Sequence, residues 1–158
     1  MSNGKIAAME RILLATDFSR WTQDAMDFAL ELAKQFEAEL LLVHAIEPVA
    51  DGAVDEEEED GSFDEFFGDL MAKSQSALEA LISRAANEGV AARSHIEIGQ
   101  RWRIIVRLAE TEEADLIVLG RRTYREQRDL ALGTTSQRVY FSTNLPVLTV
   151  PASPVQEE

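Results

Sequence analysis

The sequence predicts an α/β protein: an open, five-stranded parallel sheet with helices on both faces, forming a three-layer α/β/α sandwich. Three observations lead there. Short apolar runs, too continuous for one-sided strands, recur along the 158 residues, and such runs suit strands covered on both faces. Amphipathic helical stripes separate them through short connections, which favours parallel pairing with right-handed crossovers. A composition of 46% hydrophobic and 28% charged residues is that of one globular domain.

Arg11 to Thr16 is the first buried-type strand, and Asp17-Phe18-Ser19 reads as a turn. Ser19 is a suitable N-cap for a helix ending near Glu37, whose apolar stripe is Trp21, Ala25, Phe28, Ala29, Leu32, Ala33 and Phe36. Glu39 to Ala45 follows as a second strand, closed by Pro48. From Asp51 to Asp69 there are ten acids and no Lys or Arg, most of it read as loop. Beyond Ser62 a long stripe (Phe67, Leu70, Met71, Ser74, Ala77, Leu78, Leu81, Ile82, Ala85) marks a helix, with Gly89 placed to end it.

Ala92 to Ile98 reads as a third strand broken by Gly99, and Trp102, Ile105, Val106 and Ala109 mark a short helix. Asp115 to Gly120 is the clearest parallel strand, and after a polar stretch Gly133 opens a last helix through about Ser142. Leu145 to Pro151 is the fifth strand, followed by a short disordered tail. The aromatics Trp21, Phe28, Phe36, Phe66, Phe67 and Trp102 lie on helical stripes and are expected in the core. The expected organisation is an N-terminal tail over residues 1–9, one domain over 10–151 carrying an acidic insertion at 51–62, and a C-terminal tail over 152–158.

Fifteen Lys and Arg against 29 Asp and Glu give a net charge of −14. This opposes nucleic-acid binding, which draws its affinity from neutralising phosphates. With no Cys and only His44 and His95, disulfides, thiolate metal sites and cysteine nucleophiles are excluded, and zinc nearly so. An EF-hand frame through Glu56, Glu58 and Asp60 fails, because Phe67 stands where the bidentate Glu belongs. No secretory signal or spanning apolar run is visible, so a cytoplasmic protein without membrane insertion is expected.

Ligands of open parallel sheets bind beyond the carboxyl ends of the strands. That rule selects Ala15-Thr16-Asp17, Val43-His44, and the stretch from Gly120 to Thr135. Gly133-Thr134-Thr135-Ser136 opens a helix, where backbone N–H groups and hydroxyls suit either an anion or simple capping. Neither a Gly-x-Gly-x-x-Gly nor a P-loop pattern occurs. His44 reads as a packed, hydrogen-bonded residue of a buried strand, and no nucleophile, base and acid stand in a catalytic order.

Ile12-Leu13-Leu14-Ala15-Thr16-Asp17-Phe18-Ser19, Leu41-Leu42-Val43-His44, Asp115-Leu116-Ile117-Val118-Leu119-Gly120, Leu132-Gly133-Thr134-Thr135-Ser136-Gln137-Arg138-Val139 and Leu145-Pro146-Val147-Leu148-Thr149-Val150 together resemble the universal stress protein family. The resemblance covers about Glu10 to Pro151. It implies a Rossmann-like fold of the adenine nucleotide alpha hydrolase-like kind, and a stress-response regulatory role.

Nucleotide-binding members carry Gly, two residues, Gly, nine residues, then Gly-Ser/Thr. Here the spacing is intact through Gly120, Thr123 and Gly133-Thr134, but Thr123 replaces the second glycine. A β-branched residue resists the positive φ and close backbone approach that a glycine permits. The resemblance implies ATP or AMP, with or without Mg, as ligand. Ala15, Thr16 and Asp17 would lie beside ribose and adenine, and Val43 would offer its backbone to the adenine edge. Gly120 and Thr123 would flank the phosphates from one side, and Gly133, Thr134 and Thr135 from the other. Asp17 suits ribose hydroxyls, the alternative being a turn carboxylate that caps the first helix.

Arg121, Arg122, Arg125 and Arg128 could neutralise phosphates or belong to a solvated loop. The acidic loop is either a solvated, self-repelling segment or one that folds toward these arginines and competes with phosphates. Homodimerisation through the last strand, Leu145 to Val150, is a further implication, with an unidentified protein partner downstream. Any ATP hydrolysis would be slow and incidental. The competing reading is a nucleotide-free member of the same family that acts through protein contacts.

Overall fold

The computed structural model describes residues 8–48, 62–122 and 134–154. Nine elements follow in chain order: β1 (Arg11–Ala15), α1 (Arg20–Phe36), β2 (Glu39–Ile46), α2 (Ser62–Asn87), β3 (Ala92–Ile98), α3 (Arg101–Thr111), β4 (Leu116–Arg121), α4 (Thr134–Ser142) and β5 (Val147–Pro151). All pairings are parallel, in the order β3-β2-β1-β4-β5. The expected five-stranded, three-layer architecture is therefore the one formed.

Alternation along each strand divides the core into two layers. Ile12, Leu14, Leu40, Leu42 and Val118 face α1 and α2, meeting Ala25, Met26, Ala29, Leu30, Leu78 and Ala85. Leu13, Leu41, Val43, Ile117 and Leu119 face α3 and α4, meeting Ile104, Ile105, Leu108 and Val139. Both faces are covered, which is why the strands read as continuous apolar runs.

Several expectations shift. The α1 face that meets the sheet is Thr22, Ala25, Met26, Ala29, Leu30 and Ala33, rotated from the expected stripe. Small alanines let this helix lie close to the sheet, and the bulkier Phe28 and Phe36 are left on its flank, 46% and 39% exposed. Phe66 is also exposed, while Trp21, Phe67 and Trp102 are half-buried, so none of the six aromatics is a fully buried core residue. Ser19 occupies the N-cap position of α1 but its hydroxyl makes no capping bond.

β4 begins at Leu116, and Asp115 before it donates its N–H to Arg11 O while its carboxylate accepts the Glu10 and Arg11 N–H groups. Pro146 has no N–H to give a ladder, and β5 starts after it, although Pro146 O accepts from Ile117 N at 3.0 Å. The terminal tails are partly engaged. Met9 packs against the core, Ala152 is buried with its N–H on Arg121 O, and Ser153 N–H donates to Asp24. Three of the ten clustered acids, Asp64, Glu65 and Asp69, belong to α2, the first two in its opening turn where they complement the helix dipole. The rest of the acidic insertion lies outside the described residues.

The two ends of the sheet differ in chemistry. At the amino ends of the strands, Arg11 Nε donates to Glu39 Oε2 at 2.9 Å, and Arg93 donates to both Glu39 Oε1 and Glu112 Oε2 at 2.6 Å. The Arg11 guanidinium also reaches the carbonyl of Glu112, and His95 Nε2 lies 3.6 Å from Glu112 Oε1. These contacts tie β1, β2 and β3 to the end of α3. Among the described residues no ion-pair network of this kind joins the carboxyl ends of β1, β2 and β4, and at the carboxyl end of β3 Glu97 pairs with Arg107 of α3.

Candidate functional site

Strand order reverses at β1, whose neighbours are β2 and β4. Connections leave such a switch point in opposite directions, so a crevice opens beyond the carboxyl ends of the strands. The cleft there is lined by Ala15, Thr16, Asp17, Thr22, Val43, Ala45, Arg101, Ile105, Leu119, Gly120, Thr135 and Ser136. Its empty space, open mouth included, is about 470 Å³, within the ~300–1,000 Å³ of small-molecule sites. Its floor is aliphatic and its polar groups converge from the starts of three helices.

The turn after β1 is held by a relay of hydroxyls. Thr16 N–H donates to Val43 O at 2.9 Å, and Thr16 Oγ1 accepts the Phe18 N–H at 3.1 Å. Thr22 Oγ1 lies 3.1 Å from Thr16 Oγ1 and donates to Ser19 O at 2.9 Å. A hydroxyl has one proton, so Thr16 is the donor to Thr22. Phe18 adopts φ 62°, a conformation that costs a bulky L-residue of order 1 kcal/mol or more and that clusters at functional sites.

Asp17 is exposed, and its Oδ1 accepts the Ser19 N–H at 2.9 Å. It closes the turn that leads into α1, while the helix's first N–H groups receive no side-chain cap from Ser19. Among the described residues no group donates to Asp17 Oδ2, so that oxygen still has its lone pairs for hydroxyl donors.

Gly120 is a glycine for a local reason. A Cβ there would lie 2.3 Å from the Trp21 carbonyl oxygen and 3.0 Å from the Thr22 Cα. The first turn of α1 thus sits directly on the end of β4, which brings Asp17 and Thr22 to the same opening as Thr135. Val43 presents a carbonyl with one lone pair already used by Thr16 and one to spare.

The structure brings together Ala15, Thr16, Asp17, Val43, Gly120 and Thr135 of the expected site. Arg121 and Arg122 do not line the cleft. Arg121 is the last residue of β4, and the Arg122 guanidinium lies 5.2 Å from the Trp21 ring centroid, with Arg20 on the same ring at 4.2 Å. Cation–π stacking draws the Arg122 guanidinium toward the α1 side. Thr134 opens α4, while Thr123, Gly133, Arg125 and Arg128 lie outside the described residues. His44 is buried on the opposite face of the sheet, where its Nδ1–H donates to Thr16 O at 2.8 Å and its ring meets Phe18 at 4.5 Å. It supports the turn from behind and does not enter the cleft.

Thr22, Ala45, Arg101, Ile105 and Leu119 line the cleft without having been expected there, and Ser136, which the sequence placed only within the helix-opening Gly133-Thr134-Thr135-Ser136, joins them. Strand periodicity could have found Ala45, two positions beyond Val43, and Leu119, beside Gly120. Arg101 carries no comparable signal, since its position depends on how β3 and α3 pack against the rest.

A model of the universal stress protein family matches residues 9–151. The chain belongs to this family. A universal stress protein of Thermus aquaticus is 33% identical over 141 residues, spanning 88% of this chain and 96% of that one. YxiE of Bacillus subtilis, from the same family, is 30% identical over 146 residues, spanning 89% and 97%. Among solved structures, UspA from Lactobacillus plantarum superposes with a TM-score of 0.77 at 23% identity, covering 91% of this chain and 99% of that one. A family structure in complex with cAMP gives 0.67 at 22% identity over 93% and 100%. An Archaeoglobus fulgidus family structure in complex with dAMP gives 0.61 at 20% identity over 90% and 98%.

Proposed function

We propose that this chain is a cytoplasmic stress-response regulatory protein that binds an adenine nucleotide, ATP or AMP, in the cleft beyond β1 and β4. The observation that carries this reading is the meeting of Ala15, Thr16, Asp17, Val43, Gly120 and Thr135 at one switch-point cleft. The resemblance set these residues beside ribose, adenine and phosphates, and the two similar structures that hold cAMP and dAMP add support from relatives. Aliphatic Ala15, Val43, Ala45 and Ile105 suit the faces of a purine, the spare lone pair of Val43 O suits its exocyclic amine, and Asp17 accepts from ribose hydroxyls. Thr135 and Ser136, in the first turn of α4, offer hydroxyls and the positive end of a helix to phosphate. By the resemblance, Thr123 would flank the phosphates beside Gly120, Gly133 and Thr134 would hold them from the other side, and Arg121 and Arg122 would neutralise them.

Thr123 favours a second reading, in which the chain binds no nucleotide and acts through a homodimer and protein contacts. Mass spectrometry of small molecules released on denaturing the purified protein separates the two, together with calorimetric titration of Mg-ATP and AMP. Release of adenine nucleotide, or saturable heat, supports the first reading. Neither release nor binding at millimolar nucleotide overturns it and leaves the second.

A further inference from the structure

Arg101 opens α3 at the mouth of the cleft. The chain reaches it through Gly99, at φ 151°, where a Cβ would press within 3.3 Å of Ile104 Cδ1, and whose N–H donates to Ile46 O at 2.9 Å. That reversal carries the start of α3 back over the sheet. The Arg101 backbone N–H is taken by Glu47 Oε1 at 2.8 Å. Its side chain lines the cleft beside Ile105, and its Nε is buried with no acceptor. Among the described residues no carboxylate pairs with its guanidinium.

A buried donor on a fixed charge is costly to leave unpaired, and a planar guanidinium matches the oxygens of a phosphate. We propose that Arg101 is the phosphate anchor of this cleft, holding the ligand's phosphate between its guanidinium and the Thr135 and Ser136 hydroxyls of α4. The inference rests on the nucleotide reading above and deepens it. Both residues of α4 lie on the same face of the sheet as α3, so a phosphate there meets a full positive charge, two hydroxyls and the amino end of a nine-residue helix. Asp17 stands at the end of β1, where its negative charge repels phosphate and accepts hydroxyls. A cation delivered from α3 also lessens the dependence on the loop where Thr123 stands in place of glycine.

Binding of adenosine, AMP and pyrophosphate to the wild type, Arg101→Gln and Arg101→Lys, measured by calorimetry at one salt concentration, tests the proposal. Arg101→Gln should weaken AMP and pyrophosphate roughly tenfold or more and leave adenosine within about twofold, as loss of one charged hydrogen-bonding partner implies. Arg101→Lys keeps the charge without the fork and should fall between, and it carries the same comparison if the Gln variant does not fold. Equal weakening of adenosine and AMP would place Arg101 against the base, and unchanged AMP binding would give it a structural role; either overturns the proposal. If the wild type binds pyrophosphate in an Arg101-dependent way but neither adenosine nor AMP, the adenine reading fails and the anchor stands. No binding of any of the three probes overturns both.

Discussion

Gly120 shows why a single position can look like a ligand motif and still answer to packing. Its missing side chain is required by the Trp21 carbonyl, 2.3 Å from where a Cβ would be, whether or not phosphate approaches. Gly120→Ala should therefore destabilise the fold by about 1–3 kcal/mol, as overpacking does, seen as a lowered urea midpoint without ligand. An unchanged midpoint would show that α1 shifts freely. Asp17 has a comparable double part. Asp17→Ala removes the acceptor for Ser19 N–H and should cost about 1 kcal/mol of stability, while Asp17→Asn keeps that acceptor and should lose nucleoside affinity with little loss of stability. Loss of stability with unchanged adenosine binding in both variants would leave Asp17 a turn residue only. At this scale the residue types before α1 were legible in the sequence. That Asp17 would close the turn and leave the Ser19 hydroxyl without a capping bond was not, because only the backbone path decides which N–H each oxygen meets.

The helices and strands were legible to within one or two residues because their signals are local: apolar runs, Gly89, Gly99 and Pro146. The face that each helix buries was less so. The α1 stripe read through Phe28 and Phe36 treats size as a guide to burial, yet the sheet selects the alanine side because it allows closer approach. At the amino ends of the strands, long-range ion pairs set the pH response. Burial works against ionisation of Glu39, but hydrogen bonds from Arg11 and Arg93 outweigh it and hold this carboxyl below its usual range. Arg93 likewise holds Glu112 low. Both groups have a lower pKa folded than unfolded, so their contribution is fully present above the ordinary Glu value of about 4.3 and is lost as pH falls through the depressed values. Arg93→Met should lower stability at pH 7, and the gap from wild type should shrink as pH falls below the ordinary Glu value in urea titrations. A gap constant across that range would show that these pairs contribute nothing through ionisation.

For the molecule as a whole, β5 is an edge strand next to β4 only. Pro146 O and the Ala152 N–H both bond toward β4, so by ladder alternation the backbone groups of Val147 and Thr149 point outward. Pro151, also outward, has no N–H to offer. Among the described residues nothing bonds these outward groups, an edge of this kind invites pairing with a second copy, and the homodimer expected through Leu145 to Val150 would use them. Sedimentation should give twice the 17.6 kDa chain mass, and Thr149→Pro should give a folded monomer because it deletes an outward donor without touching the β4 ladder. A wild type that sediments as a monomer at micromolar concentration rejects this dimer.

The net charge of −14 is also a whole-molecule quantity that conceals its distribution: with the ten acids of 51–69 set aside, 19 acids face 15 bases. Periodicity, breakers and the spacing of a few glycines and threonines determined the fold class, the order of the elements and half of the cleft's lining, because each is written within a few residues of chain. Only the tertiary structure decided that Arg101 lines the same cleft as Thr135 and Ser136, that His44 lies behind the sheet, and that Arg122 stacks on Trp21. Those outcomes depend on strand order and on the side of the sheet to which each helix crosses, and they join residues whose separation along the chain leaves no local pattern to read.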